Sequence, residues 1–166
     1  MFEPICELDY ESGVAQNNIG TNLAPETICH NGLTLAVIIW HDFRKHGIHF
    51  VTPDHLPQQV AYMRHPAGKQ IQPHIHHPIT REVNHSQEVL FIKRGKLRVD
   101  FYTEDQKYCG NRVLTSGDVI VLINGGHGFT ILEEIEMIEV KQGPYIGDHE
   151  RTQFPKSSPE LFVVPD

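Results

Sequence analysis

Residues 88–132 read EVLFIKRGKLRVDFYTEDQKYCGNRVLTSGDVIVLINGGHGFTIL. Apolar and β-branched residues gather in short runs: EVLFIKR (88–94), KLRVDFY (96–102), NRVL (111–114), DVIVLI (118–123) and HGFTIL (127–132). The separators are RG, TEDQ, TSGD and NGG. Short β-favouring runs bounded by Gly, Asp, Asn and Ser read as strands joined by tight turns. The same texture reaches back through LTLAVIIW (33–40), IHFV (48–51), QVAYM (59–63) and KQIQPHIHH (69–77), and forward to EMIEVKQ (136–142). Strands spaced by roughly 8–12 residues predict an all-β, antiparallel sandwich or barrel. Helical patterning is nearly absent, and HDFRKHG (41–47) offers a single turn at most.

A chain of 166 residues suits one domain with a real core. It carries no internal repeat, so one barrel is expected rather than an array. Three parts follow: an arm over 1–32, small and polar (GVAQNNIGTN) with one short strand; a barrel over 33–147; and an extended tail over 148–166 bearing Pro155, Pro159 and Pro165.

The net charge of −7 argues against a nucleic-acid partner, because phosphate binding needs a basic face. A small anionic ligand in a locally positive pocket stays open. The longest apolar run, LTLAVIIW, falls far short of the ~20 residues that span a bilayer, so no membrane partner is expected. The start, MFEPICELDY, is acidic where a secretion signal is cationic. Three widely spaced cysteines (Cys6, Cys29, Cys109) without a CxxC read as free thiols of a reducing cytoplasm.

Twelve histidines are the one unusual count, and four of them fall in QPHIHHPITREVNHSQ (72–87). On a strand, residues i and i+2 share a face roughly 7 Å apart. His74 and His76 would thus offer two imidazoles to one side, as cis metal ligands do; a solvated polar face explains the pair equally well. His77 and His85 fall off this register and read as exposed loop residues. Glu88 is the acid that opens an apolar strand, on the face of Leu90 and Ile92, where an unpaired charge is costly. A cation held by the histidines would supply a partner; an exposed strand edge is the plainer alternative, and Glu82 competes for the role. In NGGHG, glycines on both sides of His127 permit positive φ and a close backbone approach.

On these residues the chain resembles the cupin superfamily. The first cupin motif, G(X)5HXH(X)3–4E(X)6G, is matched by Gly68, His74-Ile75-His76, Glu88 and Gly95. The second, G(X)5PXG(X)2H(X)3N, is matched in part by Gly117, Gly125 and His127. The likeness covers about 59–142. It departs in 77–87, which implies a longer hairpin at the barrel mouth, in a second motif one residue short before its histidine, and in the missing proline and asparagine.

The resemblance implies a double-stranded β-helix, or jelly-roll barrel, holding one divalent transition metal (Fe, Mn, Ni, Co, Cu or Zn) on His74, His76, Glu88 and His127. Such a set leaves positions open for water, substrate or O₂. Gln70 and Gln72, on the His74/His76 face, are candidate ligand contacts. Glu139 and Lys141 share one strand face that is either pocket lining or a solvated edge, and Arg64 is a candidate without a register argument. The implied function is a metal-dependent enzyme, an oxygenase or isomerase/epimerase, acting on a small polar, sugar-like metabolite. The alternatives are a metal-free sugar-nucleotide isomerase or epimerase and a non-catalytic ligand-binding cupin. Fold alone does not choose among them. Small cupins commonly pair as homodimers, and the arm, exchanging a strand, is suitable material.

Overall fold

A computed structural model of the protein describes residues 24–145 and 147–157, the side chain of Asp148 excepted. Residues 1–23 of the arm and the end of the Pro-rich tail lie outside these residues. Among them, eight strands and one short 3₁₀ turn at Gly147–Glu150 make up the regular structure, with no α-helix. No helix among the described residues is long and apolar enough to cross a membrane. The strands are β1 (Glu26–His30), β2 (Leu33–Ile39), β3 (Gly47–Phe50), β4 (Ala61–Arg64), β5 (Glu88–Tyr102), β6 (Tyr108–Thr115), β7 (Val119–Leu122) and β8 (Gly126–Lys141). The all-β, antiparallel expectation holds, and the main sheet curls into a half-barrel.

β5 organises this sheet. Its first residues pair with β7 (Glu88↔Leu122 to Phe91↔Val119) and its later ones with β6 (Lys96↔Thr115 to Tyr102↔Tyr108). Along its whole length it also pairs with β8. The expected break at Gly95 is therefore a bulge inside one strand. Gly95 has φ +90°, and a Cβ there would stand 2.0 Å from the Glu134 carbonyl oxygen. Only glycine lets the two backbones approach so closely while β5 bends and changes partner. HGFTIL and EMIEVKQ likewise join as β8, because β8 follows β5 through the same bend. At the bend Lys96 pairs with Glu133 (2.5 Å), Arg94 with Glu134 (3.7 Å) and Lys93 with Glu136. These exposed pairs add little stability but favour one register.

β1 and β2 form a hairpin through Asn31-Gly32, and β2 pairs with β7, which gives the order β1-β2-β7-β5-β6. Residues 26–30, assigned to the arm by pattern, thus belong to the sheet. One face of the sheet packs Leu35, Ile38, Leu90, Leu97, Leu114 and Ile120 together, all nearly inaccessible. Each such side chain contributes about 1.5–3 kcal/mol relative to leaving it in water. The opposite face carries Val37, Val89, Val121 and Ile123 and is covered by Val51, Leu56 and Val60, beside the β3–β4 hairpin.

Three expectations fail. KQIQPHIHH is no strand and 77–87 no hairpin: 65–87 holds no regular secondary structure and is almost wholly exposed. Pro73 and Pro78, flanking the histidines, each remove a backbone donor that a ladder would use. Nor are all thiols free, since Cys29 is disulfide-bonded while Cys109 is a free thiol. The cysteines accordingly give no support to a reducing compartment.

Candidate functional site

Alternation along β5 turns Glu88 to the same side as Leu90 and Ile92, toward the larger core. His127 enters the same side from β8, opposite Phe101. The two side chains meet, with His127 Nε2 3.3 Å from Glu88 Oε2. His127 also stacks on Phe129 (centroids 5.2 Å apart, 30° between planes), which fixes the imidazole plane. The hydrogen bond from His127 holds the Glu88 carboxyl below its usual range. Burial opposes that shift, and the charges of His127, Lys141 and Arg151 reinforce it. A cavity of about 40 Å³ adjoins the pair, lined by Ser86, Leu122, Ile123, Asn124 and Gly125. It has room for a water molecule or a single ion.

Lys141 stands across from Glu88 in the β5–β8 ladder. It lies 4.0 Å from Glu139 and 3.9 Å from Glu150, and its ammonium sits 5.7 Å from the Tyr145 ring centroid. Of the sequence candidates, then, Glu88, His127, Lys141 and Glu139 come together. Glu150 and Arg151 join them with no signal in the sequence, because they arrive from the segment after β8. Gln87 and Gln142 tie the two strand ends beside the site, the Gln87 N–H donating to Gln142 Oε1 at 2.6 Å. Gln142 in turn donates to Gln58 at 3.1 Å.

His74 and His76 form a second pair, their rings 5.0 Å apart and edge to face. His74 Nδ1 lies 3.0 Å from the Gln72 carbonyl oxygen and donates to it, which leaves Nε2 as the ring's free acceptor. Both rings are exposed, as are Gln70 and Gln72. Arg64 ends β4 in the other sheet, opposite Gly47. Among the described residues no three His, Cys, Asp or Glu side chains converge as a metal-holding group. The four expected ligands therefore stand as two pairs, Glu88 with His127 and His74 with His76, and in this arrangement they do not fit one metal ion.

No protein-family model, curated protein or solved structure matches the chain. What the fold defines is an all-β antiparallel half-barrel with an acid–imidazole pair on its core-facing side.

Proposed function

We propose that Glu88 and His127 form half of a cupin-type divalent-metal site, completed by His74 and His76 when the 65–87 segment lies over the barrel mouth. On this reading the protein is a metal-dependent enzyme of a small polar, sugar-like metabolite. The observation that carries it is the His127–Glu88 contact, made by two residues far apart in sequence beside an ion-sized cavity. A bound metal would supply Lewis-acid polarisation or dioxygen activation. Lys141 and Glu139 would orient polar groups of the substrate at the same rim, and the 77–87 connection would contribute selectivity.

The test is metal content of untagged protein after reconstitution with Fe(II), Mn(II), Ni(II) and Zn(II). About one equivalent is expected, with loss in both His127→Ala and Glu88→Gln. Native protein that takes up none of the four overturns the reading.

A second reading is favoured by the directness of the same contact. A hydrogen-bonded carboxylate and imidazole can serve without metal as the acid/base pair of a sugar-nucleotide isomerase or epimerase. Metal-stripped protein that exchanges solvent deuterium into such substrates would select it. Absence of turnover with bound metal would leave a ligand-binding cupin.

A further inference from the structure

On the sheet face opposite Glu88 and His127, the β3–β4 hairpin stands off and leaves a pocket of about 260 Å³. Ile39, Val119 and Phe91 form its floor, with Trp40, Phe43 and Tyr62 among its walls. Phe43 is buried and meets Tyr62 edge to face, centroids 4.8 Å apart, so these walls are braced. The pocket is a half-open cleft rather than an enclosed cavity, and its volume has room for one substituted aromatic ring.

In this pocket the His41 side chain is held by a buried carboxylate. Asp118, 1% exposed, accepts from the His41 backbone N–H (2.7 Å) and contacts His41 Nδ1 (2.9 Å) through one oxygen. Its other oxygen accepts from the Thr115 N–H (2.7 Å) and hydroxyl (3.2 Å). A carboxylate accepting four such bonds makes His41 Nδ1 the protonated nitrogen. In the neutral imidazole Nε2 is then the acceptor, and it has no hydrogen-bond partner among the described residues. Anchoring the turn would need only the backbone bond; the ring bond orients the imidazole in addition. Gly117 makes the approach possible, since at φ +90° a Cβ would stand 2.9 Å from His41 Cβ.

We propose that this pocket binds a small planar aromatic molecule bearing a hydroxyl or ring N–H, which donates to His41 Nε2 while its ring packs on Trp40, Tyr62 and Phe91. The site is separate from the Glu88–His127 pair and independent of its function. Arg44 also lines the pocket, with Nη1 engaged by the His41 and Phe43 carbonyl oxygens; a carboxylate ligand would answer to it instead.

Trp40 is the chain's one tryptophan, so its emission reports directly on the pocket. The full-length protein is titrated with phenol, anisole and benzoate. Phenol is expected to change Trp40 emission saturably and to bind roughly tenfold tighter than anisole, the worth of one hydrogen bond. His41→Phe, at a mostly exposed side chain, should keep the fold by circular dichroism and reduce phenol to the affinity of anisole. Asp118→Asn, which no longer dictates the Nδ1–H tautomer, should shrink the same preference. Equal binding of phenol and anisole, a phenol preference that survives in His41→Phe, tightest binding of benzoate, or no saturable change with any probe would each overturn the proposal.

Discussion

Replacing Gly95 by alanine tests the bend on which the sheet and the Glu88–His127 contact both depend. Two costs add. The first is conformational: at φ +90° an L side chain loses roughly 1–2 kcal/mol. The second is steric, because a Cβ would meet the Glu134 carbonyl oxygen at 2.0 Å, its carbon at 2.8 Å and Ile135 Cα at 2.9 Å. All three are backbone atoms of β8, so no side chain can swing away. Relief requires β5 and β8 to separate, at a cost typical of overpacking, about 1–3 kcal/mol. The expected loss is thus roughly 2–5 kcal/mol, a large share of the 5–15 kcal/mol that ordinarily holds a domain folded. Gly32→Ala is the control, since Gly32 has φ +77° but nothing within 4 Å of the added Cβ. It should lose only the conformational part, about 1–2 kcal/mol. Urea unfolding followed by circular dichroism measures both. A Gly95→Ala protein no less stable than Gly32→Ala would refute the close approach of β5 and β8, and with it the idea that one continuous strand sets the site.

Two further outcomes follow from paired charges. The folded state depresses the Glu88 pKa, so its ionised form contributes stability above the ordinary carboxylate range, and the contribution is lost as pH falls through the depressed value. The difference in urea midpoint between wild type and Glu88→Gln should be full near neutrality and close in strong acid; a difference unchanged across that window refutes the pairing. In the core, Arg98 Nε donates to Asp100 Oδ1 at 2.7 Å, with both side chains almost inaccessible. Asp100→Asn should cost about 3–5 kcal/mol by leaving a buried guanidinium without its carboxylate, whereas Arg98→Met with Asp100→Leu should cost much less. Equal losses in the single and double variants would show that packing, not charge, dominates there.

Much of this was legible in the chain. Alternation of apolar and polar residues between turn formers located the strands, because side-chain direction has period two wherever one face of a sheet is covered. The same reasoning singled out Glu88, an acid on the side of Leu90 and Ile92, and flagged His127 between glycines. Local pattern could not tell a turn from a bulge at Gly95, since positive φ serves both. That decision belongs to β8, which lies along β5 through the bend and is remote in sequence. In KQIQPHIHH, alternation suggested a strand, but among the described residues no strand pairs with it. Hydrogen-bonded ladders are formed by two segments, and a single segment cannot declare one.

By itself, then, the sequence determined the class of fold, the position of most strands and which charged side chains sit on apolar faces, because these follow from nearest-neighbour chemistry and strand periodicity. Tertiary structure alone decided which of those side chains touch. It joined Glu88 to His127 and brought Lys141 beside them, while His74 and His76 stayed apart in an exposed segment. It also set Asp118, a turn residue by pattern, under the imidazole of His41. Contacts between residues this distant in the chain depend on how the sheet bends and pairs, and that is settled by the packing of the whole domain.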